Sequence, residues 1–217
     1  MKLQRLGGYA LLASVCVLIF YFVSVVQIQK RIGDLNDPAK AMAAGLAAPN
    51  YFYLLSISMT VHFILVFIAF YAIQECMRAD APHLSRISLI AASAGTVLEI
   101  TSGIIADYSI ATILPTNDNS ACRACFAISD ALHLAVSHVY AWTFLLIGCA
   151  ILKTRAFSRI VGWLCLITGV LYLPRFMFPQ LADITHLLGF VTAVWIGIAL
   201  LRYKQPRPAA GEMAASA

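Results

Sequence analysis

Ile87-Ser-Leu-Ile-Ala-Ala-Ser-Ala-Gly95-Thr-Val-Leu-Glu99-Ile-Thr-Ser-Gly103-Ile-Ile105 is long enough to lie wholly inside a bilayer, and it carries one carboxylate near its middle. A membrane core takes about 20 residues of apolar helix. A carboxylate at that depth costs roughly 2.5–3.5 kcal/mol even on lenient insertion scales. Glu99 therefore predicts a partner inside the protein, and so a bundle of helices in place of a lone anchor.

Runs of this length recur along the chain. The sequence predicts an all-α, polytopic membrane helix bundle with six transmembrane helices, at 6–27, 52–73, 87–108, 127–151, 160–178 and 184–202. With 61% hydrophobic and 12% charged residues and a mean hydropathy of +0.84, the composition is that of a membrane protein. Six spans fill most of 217 residues, leaving one membrane domain at 1–204 and a Pro- and Ala-rich tail, 205–217, read as disordered and cytoplasmic. The net charge of +5 is loop bias and lipid contact; no basic and aromatic cluster forms a nucleic-acid surface.

Lys and Arg set the orientation. Ten fall on the side of Lys2, Arg78, Lys153 and Arg202, and five on the side of Lys30, Lys40, Arg123 and Arg175. The richer side faces the cytoplasm, placing both termini there (N-in, C-in). The first span has too long an apolar stretch for a signal peptide and reads as an uncleaved anchor. On the outer side, Asp37-Pro38 opens a short Ala-rich interfacial helix, with Asp37 as its N-cap. Asn119 or Ser120 is the expected cap of the fourth span, and Asp183 that of the sixth.

Spacing gives the inward faces. Gly95, Glu99, Gly103 and Asp107 follow one another every four residues and share a stripe. His186, Gly189, Ala193 and Gly197 do the same on the last span. Small residues on such stripes let helices approach closely, so both should face the bundle. At 1.5 Å per residue from the outer end, His62, Glu99 and His138 fall about 15–18 Å deep. His133 and His186 come out at about 8–10 Å, with Asp107, Asp130 and Asp183 nearer the rim.

Two histidines and a carboxylate with an open position suit a transition metal, zinc or iron, and His62, Glu99 and His138 are the candidate ligands. Haem b is a second candidate cofactor, between His62 and His138 or between His133 and His186. A hydrogen-bonded cluster without metal is the plain alternative. His133, His186, Asp107 and Asp130 line the expected entrance for a small-molecule ligand from the outer side, with Arg175 a candidate partner for the aspartates. The same groups would serve as a proton relay in a small carrier, or as a packing device in a non-catalytic assembly or sensor subunit.

Cys122-Arg-Ala-Cys125 lies at the outer edge of the fourth span, where it reads as a redox pair, a local disulfide or two idle thiols. The chain lacks the second outer cysteine pair used by membrane oxidoreductases of the vitamin K epoxide reductase type. The aromatic residues Trp142, Tyr172, Phe176, Phe178 and Trp195 read as ordinary interface or core residues.

Trp142-Thr-Phe-Leu-Leu-Ile-Gly148, Ile151-Leu-Lys-Thr-Arg-Ala-Phe157-Ser158-Arg159-Ile-Val-Gly162-Trp163 and Thr168-Gly169-Val-Leu-Tyr172 together resemble a bacterial six-span membrane family known only as a domain of unknown function. In that family, too, a His-bearing fourth span is followed by a Phe-x-Arg-x-x-Gly turn. The resemblance is best in the C-terminal half. It implies six spans in a bacterial cytoplasmic membrane, with the lipid bilayer as partner, and it brings no catalytic residues.

Overall fold

The computed structural model describes residues 2–32, 38–116, 118–178 and 181–203. Every element among them is helical: α1 (Leu3–Ile32), α2 (Pro38–Ala47), α3 (Pro49–Met77), α4 (Pro82–Tyr108), α5 (Asn119–Thr154), α6 (Arg159–Tyr172) and α7 (Ala182–Arg202). Five of these (α1, α3, α4, α5 and α7) are long and apolar enough to cross a membrane. The fifth span expected from sequence is different. Its α-helix, α6, stops after 14 residues because Pro174 cannot continue it, and a 3₁₀ turn carries the chain to Phe176.

Prolines also start helices here. Pro38, Pro49 and Pro82 each occupy a first position, where the missing N–H is no loss. The expected cap of α5 is corrected by one residue. Asp118 takes it, accepting from the Ala121 N–H at 3.0 Å and the Ser120 hydroxyl at 2.9 Å, and Asn119 becomes the first helical residue. Those two donors hold the Asp118 carboxyl below its usual range. The start of α5 also lies eight residues ahead of 127, so this helix is 36 residues long. It ends at Arg155, whose left-handed backbone (φ 55°) lets its N–H close on Ile151 O at 2.8 Å before the short link to α6. Asp37, the side chains of Asp107 and Asp183, and the tail lie outside the described residues.

The six long or medium helices form a closed ring in which each packs against its neighbours in sequence and α7 returns to α1. Neighbours run antiparallel, as the close contacts show. Gly8 near the start of α1 meets Gly197 near the end of α7. Ser85 at the start of α4 donates to Gln74 O at the end of α3. Ser102 and Ser129 clasp α4 to α5 at 2.9 Å, and Thr168 and Thr192 clasp α6 to α7 at 2.8 Å. Glycines set the tightest seams: a Cβ on Gly148 would stand 2.9 Å from Gly162 O, so α5 and α6 touch backbone to backbone. Ile57, Trp142 and Ile160 lie on the outside of the ring, where an apolar surface of this extent faces lipid.

Candidate functional site

The ring is not filled. A cavity of about 420 Å³ lies inside it, lined by residues from all six ring helices. Its two ends differ. Glu99, His62, His133, His186 and Arg175 gather toward the end where α3, α5 and α7 begin, whereas Leu11, Phe70, Ile73, Phe144 and Ile196 wall the other end. The difference follows from the sequences of the helices themselves. On α7, His186 lies one turn in and Ile196 ten residues further on, about 15 Å along the axis.

Glu99 is 8% exposed and its carboxylate faces His133, whose Nδ1 lies 2.9 Å from one oxygen and 3.1 Å from the other. Local packing explains this pairing. The Ser102–Ser129 clasp fixes the antiparallel register of α4 and α5. Three residues back on α4 and four forward on α5 then bring Glu99 opposite His133. Thr96 and Tyr140 continue the same line at 3.3 Å.

His62 is held differently. Its Nδ1 lies 3.0 Å from the Ser14 carbonyl oxygen on α1. A carbonyl only accepts, so Nδ1 carries a proton, and in the neutral ring Nε2 is the acceptor. His186 packs against Phe22 of α1 with the rings tilted by 57° and their centroids 5.9 Å apart. Arg175, in the 3₁₀ turn after α6, sits with its guanidinium carbon 5.8 Å from the centre of the Tyr172 ring.

The structure thus brings His62, Glu99, His133, His186 and Arg175 to one cavity, and it separates others from them. Glu99 pairs with His133, not with His138. His138 is five residues further along α5, about 140° round the helix, and its Nδ1 lies 3.4 Å from Leu134 O of its own helix. Asp130 follows the buried Ser129 directly, so it is turned away from α4 and is exposed. The set expected to hold a metal, His62, Glu99 and His138, is therefore not assembled. Among the described residues no three His, Cys, Asp or Glu side chains converge closely enough to hold a metal ion.

Cys122 and Cys125 are free thiols one turn apart on α5. Cys122 is fully buried beneath the π-turn Ser109–Ile113, its sulfur 3.8 Å from Ser109 O, in a small apolar cluster with Met42 and Leu114. Tyr172, read from sequence as an ordinary aromatic, lines the cavity, as do Tyr21 and Tyr140. No sequence spacing marks these three tyrosines as a set; they meet only through the ring.

Among the described residues, fold and site together define a helical membrane bundle around a cavity of mixed polarity. Comparison of the chain with protein-family models, with curated proteins and with solved structures gave no match. The functional reading therefore rests on the geometry above.

Proposed function

We propose that this protein is a six-span, N-in/C-in protein of a bacterial cytoplasmic membrane, of the family its C-terminal half resembles, and that it binds one amphipathic small molecule inside its helix ring. The observation that carries the binding reading is the graded wall of the cavity, polar at one end and apolar at the other. Its volume of about 420 Å³ falls in the range of sites for single small ligands. The sixth passage is supplied by α6 and its 3₁₀ turn, whose 14 and 4 residues extend about 29 Å, close to the thickness of a bilayer core.

Photolabelling of the reconstituted protein with an alkyl diazirine tests the binding reading. Inserted label is expected on cavity-facing residues such as Phe70, Phe144 and Ile196. Label confined to lipid-facing residues such as Ile57 and Trp142 would overturn it.

A second reading has its own support in the Glu99–His133 pair. A buried carboxylate sharing a hydrogen bond with an imidazole inside a membrane cavity is the arrangement a proton relay uses. In that case ligand movement is proton-coupled, and proteoliposomes should show ligand-driven proton flux that Glu99→Gln abolishes.

A further inference from the structure

We infer that the molecule held in the ring is an amphipathic anion, its carboxylate or phosphate head bound by Arg175 and its single hydrocarbon chain lying toward Phe70 and Ile73. The inference rests on the amphipathic reading of the cavity and adds the charge and shape of the ligand.

The charges of the cavity carry the argument. Both Glu99 oxygens lie within hydrogen-bond distance of one nitrogen, His133 Nδ1. Among the described residues no carboxylate lies within 4.0 Å of the Arg175 guanidinium, which sits over the Tyr172 ring. An aromatic face steadies a guanidinium but brings no counter-charge. Arginine stays charged under all ordinary conditions, and intramembrane charges are found paired or facing a polar cavity. A ligand head brings an anion to this guanidinium, whose planar fork of donors matches the paired oxygens of a carboxylate or phosphate.

Cavity shape limits the rest of the molecule. From His186 to Ile196 the apolar wall runs about 15 Å. The cavity volume of about 420 Å³ is of the size that takes a single small ligand. Leu11, Phe70 and Phe144 offer no hydrogen-bond partner along it, so the buried part of the ligand is hydrocarbon.

The test uses the full chain, delipidated in a nonionic detergent, with calorimetric titration of dodecanoate, dodecyl phosphate, dodecanol, octanoate, acetate and inorganic phosphate. At least one of the two twelve-carbon anions should bind tenfold or more tighter than dodecanol, as expected for a hydrogen bond to a charged group. The tighter of the two names the head. Arg175→Gln should close that gap, bringing the affinity of the anion down toward that of dodecanol. Dodecanoate should exceed octanoate, by up to about fourfold for each methylene that enters the cavity.

Equal binding of dodecanol and both anions by the wild-type protein overturns the anion inference and leaves the amphipathic reading standing, with no need for a folded variant. So does a gap that persists in a folded Arg175→Gln. If acetate or inorganic phosphate binds as tightly as dodecanoate or dodecyl phosphate, the ligand is a free anion and the amphipathic reading falls. If none of the six binds, both fall.

Discussion

Glu99 on α4 and His133 on α5 are joined through His133 Nδ1, which reaches both carboxylate oxygens, at 2.9 and 3.1 Å. Glu99 is buried, whereas the His133 side chain is 42% exposed within the ring. Removing the imidazole leaves a buried acceptor without its donor. His133→Leu should therefore destabilise the protein by about 1–3 kcal/mol. Glu99→Gln should cost less, because the amide oxygen still accepts from Nδ1–H. In an SDS unfolding titration the double variant Glu99→Leu/His133→Leu should lose less stability than its two singles added together, by about 0.5 kcal/mol or more. Strict additivity would show that the two side chains do not act as a pair.

The α5–α6 seam makes a sharper steric prediction. A methyl group on Gly148 would meet Gly162 O at 2.9 Å and Leu166 Cγ at 2.8 Å, and the backbone oxygen cannot step aside. Gly148→Ala is expected to cost about 1–3 kcal/mol in the same titration. Gly103→Ala is the control, since its Cβ would find Ser56 Oγ at an ordinary 3.5 Å and gain helix propensity. Equal tolerance at both positions would contradict the close approach of α5 and α6.

The two sites explain how far the chain could be read without coordinates. Helical spacing placed Glu99 on an inward stripe, since that inference needs only the periodicity of one helix. The stripe on α7 was legible for the same reason: His186, Gly189 and Ala193 all line the cavity. Pairing between helices was not legible, because it depends on register. Depth counted from an assumed start at 127 set Glu99 level with His138. The helix begins at Asn119, and the Ser102–Ser129 clasp brings His133 there instead. Arg175 was legible only as a partner for aspartates; its place in the cavity depends on the 3₁₀ turn that Pro174 imposes.

Asp118 gives a pH signature. Its carboxyl is held below the usual range mainly by the Ala121 N–H, with help from the Ser120 hydroxyl. A group whose folded value is depressed lends stability above its unfolded value and loses it as the pH falls through the folded one. The cap of α5 should therefore weaken in acid. Thermal melts of the wild type and Asp118→Asn should converge as the pH drops below the ordinary carboxylate range, about 4, because the variant has no such charge to lose. A constant difference across that range would place the effect elsewhere.

The last prediction concerns the cysteines and the orientation together. A thiol that exchanges disulfides must be reachable as a thiolate. Cys122 is fully buried under the π-turn, whereas Cys125, one turn on, is partly exposed. In single-cysteine variants, a membrane-impermeant maleimide added to intact spheroplasts should modify Cys125 and leave Cys122 intact until the protein is denatured. Everted vesicles should give the opposite sidedness, with Cys125 protected, if both termini are cytoplasmic. Labelling of Cys125 only in everted vesicles would reverse the orientation, and equal rates at Cys122 and Cys125 would remove the contact between Cys122 and Ser109. Cys122 reacts slowly in this account because Met42, Leu114 and the turn above it exclude water and reagent alike.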